Sequence, residues 1–312
     1  MHHAPLTRSC ATIAVLLATA VVQADQYAET RQHDDGRVVL SARTATVDGT
    51  TAKLESEGDR HQIGCWTNPT DAVSWTWKPT RWGTYDAHLI YSNASPSGSE
   101  IEVAVGDTPL KARLESTGDS QRSTSLPLGR VVIPTTGDLA VRVRCTKLVG
   151  DTVMQLAAVT LTPACEGMPP RQAADGAVLL HGRDATIRGT ALRWEPAEKK
   201  QTLGFWTRAT DAAEWTFTID TPGTFDVEVL QGCGTGQGGS EVGIDIDPDR
   251  PTAAALAFTV EDTGGFQAFK PRTVGRVTIA AAGEHMLRVQ PKKIAKSAAC
   301  DIRQIRLVPA TK

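Results

Sequence analysis

The chain has 312 residues, a net charge near −2 and no long basic run, which argues against nucleic acid and anionic membrane surfaces as partners. His61, His88, His181 and His285 show no metal-ligand spacing. No G-x-S-x-G segment and no distinguished carboxylate couple points to catalysis, so no enzyme is expected.

Residues 1–24 combine a weakly basic start ending at Arg8, an apolar run from Ala11 to Val22, and small residues before Asp25. That pattern predicts a signal peptide and a secreted or periplasmic protein. The run is too short to span a membrane, no later segment is long enough, and Cys10 is misplaced for a lipid anchor. Residues 25–36 read as a flexible, charged lead-in.

The rest of the chain is written twice. IGCWTNPTDAVSWTW, from Ile63 to Trp77, returns as LGFWTRATDAAEWTF, from Leu203 to Phe217. The offset holds at 140 from Val38/Val178 to Asn93/Cys233, is 141 at Ser99/Ser240, and is 146 from Thr117/Thr263 to Pro163/Pro309. Insertions confined to two places mark surface turns. Each unit is about 130 residues, enough for an independent core. The predicted plan is domain 1 over 37–164, an exposed Pro-Pro linker over 165–176, and domain 2 over 177–310.

Within each unit apolar residues alternate with polar ones. Val73, Trp75 and Trp77, matched by Ala213, Trp215, Phe217 and Ile219, predict a half-buried strand with inward aromatics. Tyr85-Ala87-Leu89 and Phe225-Val227-Val229 follow a Pro/Gly turn and predict its hairpin partner. Further strands are read at Ile101–Val105, Val131–Ile133 and Val141–Val143 with their counterparts. In the last strand the parity slips between Leu156 and Val159, and between Ile302 and Ile305, which predicts a shared β-bulge. About ten short strands per unit and no long helix predict an all-β chain of two tandem antiparallel β-sandwiches.

Of the five cysteines beyond the leader, none aligns with a cysteine in the other copy, so no disulfide supports the shared fold. Cys65 and Cys300 stand against Phe205 and Met154 and read as small buried hydrophobes. Gly234 to Gly239 matches G-x-G-x-x-G but lies between strands, with no helix to receive a pyrophosphate. Asp245, Asp247 and Asp249 begin like a calcium loop, yet Arg250 stands where Gly is required.

The order of Gly-x-Trp-Thr, Asp, Trp strand, Gly-Thr-aromatic strand, Gly-Ser-Glu, Thr-Gly and a closing Leu-x-Pro-Ala resembles galactose-binding-like jelly rolls. It is most similar to carbohydrate-binding modules of families 6 and 35 and to modules attached to bacterial α-L-fucosidases and sulfatases. The resemblance implies glycan binding through loops at one end of each sandwich, without catalysis. It also implies a structural calcium near the first strand, but VVLSARTA carries no carboxylate there and copy two offers only Asp184, so no cofactor is expected. TGGFQAF keeps Phe266 and Phe269 where copy one has Ser120 and Ser123, so domain 2 is the expected dominant binder.

Candidate ligand contacts are Trp66, Asp71, Trp82, Glu100, Trp206, Asp211, Glu241, Phe266 and Phe269. Trp66 and Trp206 serve equally as sugar platforms or core residues. Asp71 and Asp211 suit loop-terminating bonds better than ligand contact. Glu100 and Glu241 suit sugar hydroxyls or a loop amide, and Lys147 and Lys293 share that ambiguity. Trp82 has Pro222 near its place in copy two and reads as an exposed turn-tip residue. Trp194, aligned with Leu54, reads as buried. The expected partners are polysaccharide or glycoconjugate glycans, with a separate glycan-degrading enzyme as a further one. An extracellular adaptor or structural protein is the main alternative, and a glycan-active enzyme component a weaker one.

Overall fold

The computed structural model describes residues 27, 29–250 and 253–310. The expected signal peptide, 1–24, lies outside the described residues. Its regular structure is nearly all strand, folded as two antiparallel sandwiches.

In the first, a five-stranded sheet runs in the order Thr46–Asp48, Ala72–Trp77, Leu139–Lys147, Glu100–Val105, Thr108–Arg113. Facing it are Val38–Ser41, Gln155–Pro163, Gly83–Ser92 and Thr124–Ile133, extended by the hairpin Lys53–Glu57 and Arg60–Gly64. The second sandwich repeats the plan. Thr186–Arg188, Ala212–Ile219, Gly283–Lys293, Glu241–Ile246 and Ala254–Thr259 form one sheet. Val178–His181, Asp301–Pro309, Gly223–Cys233 and Gly265–Ile279 form the other, with the hairpin Arg193–Glu195 and Thr202–Gly204 beside them.

Alternation dictates this burial. Trp75, Trp77, Trp215 and Phe217 point into their cores, and the Trp75 and Trp215 indoles donate to the carbonyls of Ser41 and His181, each at 2.8 Å. Trp194 is buried, whereas Leu54 in the matching place is exposed. The bulge occurs where parity slips: pairing skips Ala157 in one copy and Arg303 in the other.

Three expectations change. Ala72–Trp77 and Gly83–Ser92 are not a hairpin, because the first pairs with Leu139–Lys147 and the second with Thr124–Ile133 in the opposite sheet. The turn between them crosses the sandwich, so both strands aim apolar residues at one core. Cys65 is exposed, because it and Phe205 hold left-handed φ angles of 51° and 60° that turn the following Trp inward and the residue itself outward. Cys300 is buried, and all five described cysteines are unpaired. Finally, Arg31–Gln32 of the lead-in pairs with Val38–Ser41; the linker 165–176 has no buried residue and is bonded to domain 2 through Gln172 N to Thr218 O at 2.9 Å and Thr218 N to Pro170 O at 3.0 Å. Backbone groups beside a sheet edge take partners where they can.

Candidate functional site

The repeated tryptophans offer no face to a ligand. Trp66 and Trp206 are fully buried, and the Trp206 indole donates to the Asp211 carbonyl at 2.9 Å. Asp71 and Asp211 are buried clamps. Asp71 accepts from the amides of Thr50, Thr51 and Ala52 at 2.8–3.0 Å and from the Thr51 hydroxyl at 2.8 Å. Asp211 accepts from Thr190, Ala191 and Leu192 at 2.8–3.3 Å. The loop they close lies some twenty residues upstream, not two residues downstream as an Asp turn would have it. Burial alone would raise the Asp71 carboxyl, but these donors outweigh it and hold its pKa at about 2. Gly49 and Gly189 are required beside the clamps, since a Cβ at either would strike the carboxylate.

Trp82 is not a free turn tip. Its half-buried indole donates to the Trp194 carbonyl of the other sandwich at 3.1 Å and meets Phe205 edge-on at 5.5 Å. Arg193 lies between these rings, its guanidinium 4.2 Å from each centroid. Next to it, buried Arg81 reaches across to the carbonyls of Gly189 at 3.1 Å and Ile187 at 3.4 Å. The crossing turn of the first sandwich is therefore the clasp onto the second. Glu100 is exposed and paired with Lys147 at 3.4 Å, and exposed Glu241 sits in register with Lys293.

An open cleft lies on domain 1, about 340 Å³ in volume. Glu55, Ser56, Glu57, Arg60, Gln62, Ser120, Gln121 and Gln155 line it, all of them polar. The hairpin Lys53–Glu57 and Arg60–Gly64 supplies the first five, and Arg60 crosses to Gln121 Oε1 and the Ser120 carbonyl. The Gln155 side-chain oxygen is buried without a hydrogen-bond partner.

The copy offsets place Glu195, Lys200, Thr202, Phe266, Gln267 and Asp301 at the matching positions of domain 2. There the chain closes on itself. Arg303, the bulge residue, stacks 3.9 Å over Phe269 and donates to the carbonyls of Lys199 and Lys200. Phe266 packs where a Cβ on Gly234 would collide with its ring. Both phenylalanines are half-buried.

Glu195 is held by Lys200, close to buried Asp301. Sequence reading passed over this trio, although its alignment with Glu55, Arg60 and Gln155 was the available signal. Burial, reinforced by Glu195 and opposed by Lys200, pushes the Asp301 pKa up to about 7. An unfolded Asp ionises near 3.8, so between those values the unfolded chain has released a proton that the folded chain keeps. Stability therefore falls as pH rises from about 4 to about 7. Asp301→Asn is expected to raise thermal stability by about 2 kcal/mol more at pH 8 than at pH 5. Equal gains at both pH values in denaturation curves would refute this.

Asp184 does not build a calcium cage: it pairs with Arg183 at 3.4 Å, and its Oδ1 occupies the space a Cβ on Gly167 would need. Among the described residues no group of three or more His, Cys, Asp or Glu converges. The Gly234–Gly239 segment is a loop, and Asp247 is bound to His285 at 2.6 Å and to the Met286 amide at 2.8 Å.

No protein-family model and no curated protein matches the chain. Among solved structures, a family 35 carbohydrate-binding module from Clostridium thermocellum aligns at TM-score 0.35 and 14% identity, over 40% of this chain and 96% of that one. The chain resembles such modules. A second, CBM35 from Cellvibrio japonicus Abf62, aligns at TM-score 0.35 and 12% identity, over 40% of this chain and 92% of that one. A Paenibacillus xanthan lyase aligns at TM-score 0.37 and 15% identity over 88% of this chain, which spans only 26% of the lyase. Strand pairing makes the two sandwiches, and among the described residues no helix is long and apolar enough to cross a membrane.

Proposed function

We propose that the chain is an exported, non-catalytic glycan-binding protein whose open binding surface is the domain 1 cleft. The observation that carries this reading is the cleft lining, which is polar throughout. Sugar hydroxyls donate and accept at once. Glutamines answer both roles, and Glu55 and Glu57 accept. The sequence favoured domain 2 through Phe266 and Phe269, but Arg303 covers the Phe269 ring and Phe266 packs against Gly234, which favours domain 1.

A glycan array with the full two-domain chain tests this. Binding should weaken roughly five- to tenfold in Gln62→Ala and in Gln155→Ala, since one neutral hydrogen bond is worth about 1 kcal/mol, with melting unchanged. Folded protein that binds no glycan would shift the reading to an extracellular adaptor.

A further inference from the structure

Another concavity lies between the sandwiches. It measures about 490 Å³ and is walled by Trp82, Val132 and Trp194, with Glu166, Glu195 and Lys200 among its polar groups. Its walls are held rigidly. The Trp82 nitrogen is tied to the Trp194 carbonyl, and Arg193 covers one face of the ring. Neither Arg193 nor Phe205 lines the cavity, so Trp82 meets it with the surface those two leave uncovered. Val132 is 57% exposed on the outward face of Thr124–Ile133.

The polar side is equally defined. Lys200 fixes the Glu195 carboxylate, while Glu166 has no ion pair among the described residues. An apolar molecule would leave the Glu166 carboxylate unanswered and offer nothing to the Glu195–Lys200 pair. A pyranose satisfies both sides, laying its C–H face on indole and presenting hydroxyls to carboxylate oxygens. The fold itself does not require this arrangement, because copy two has no tryptophan in its crossing turn.

We propose that this cavity is a second glycan subsite, sized for two linked sugar residues and present only while the two sandwiches are docked. It rests on the glycan-binding reading, and it places the sugar on a surface that neither domain owns alone.

Tryptophan emission separates the two surfaces. Trp82 and Trp194 line the cavity, no tryptophan lines the domain 1 cleft, and the other five are buried in the cores. The full chain is titrated with β-linked di- and trisaccharides of glucose, galactose, mannose and xylose. A saturable emission change is expected in the wild type, weakened at least tenfold in Val132→Arg and in Ala197→Arg. Both changes stand at exposed positions on the cavity rim and leave the Arg81 and Trp82 contacts alone. The emission change should persist in Gln62→Ala. Sugar binding that Gln62→Ala abolishes and both rim variants retain would overturn the interdomain subsite while leaving the domain 1 reading standing. Absence of any sugar binding by folded protein would overturn both.

Discussion

Asp211→Ala is expected to destabilise the second sandwich by roughly 3–5 kcal/mol and to separate its melting from that of the first. The substitution strips three amides, buried at Leu192 and part-buried at Thr190 and Ala191, of their acceptor. An unsatisfied buried donor costs about 1–3 kcal/mol, and water cannot fully reach a carboxylate position that is 0% exposed. The clamped loop begins at Gly189, whose carbonyl is also the grip for Arg81. Loosening the loop therefore releases the other domain as well. Asp71→Ala removes a comparable clamp in domain 1, from a loop that is not among Arg81's partners. It should lower stability similarly without uncoupling the halves. Calorimetry on the two variants decides: two resolved transitions are expected for Asp211→Ala alone. Losses under 1 kcal/mol would show the clamps to be dispensable.

Arg81→Ala should have the second-largest effect, about 2–4 kcal/mol, expressed chiefly as loss of interdomain coupling. The guanidinium is buried, and its cross-domain partners are two backbone carbonyls, on Gly189 and Ile187. Truncation leaves those oxygens unanswered and opens a void beside Tyr85, over whose ring Arg81 lies at 5.0 Å. Arg81→Lys is not expected to rescue, because one ammonium cannot reproduce a planar fork that reaches two carbonyls. Limited proteolysis across 165–176 and differential scanning calorimetry report the outcome. Unchanged cleavage and a single unshifted transition would mean that the sandwiches are held by other contacts.

Much of the framework was legible because alternation reports which face of a strand is apolar. That sufficed for Trp75, Trp215 and the bulge, which betrays itself as a slip in parity. It could not say which sheet a strand joins, so the crossing at Arg81 and Trp82 read as an ordinary hairpin turn. Nor does a cysteine announce a left-handed backbone, and Cys65 therefore looked like core. The candidate surfaces were least visible. Gln62 and Gln155 meet across some ninety residues, and nothing local marks either one. The aromatic pair of domain 2 was legible as a difference between the copies, but not that Arg303 would lie on Phe269.

The bulge gives that difference its meaning. Ala157 and Arg303 occupy the one position in each closing strand that the pairing ladder skips. A residue outside the ladder has no register to keep and no facing partner to match. After duplication, such a position is a place where one copy can diverge while the sheet is inherited intact. A small side chain stands there in one half, and in the other a long cation folds down as a lid.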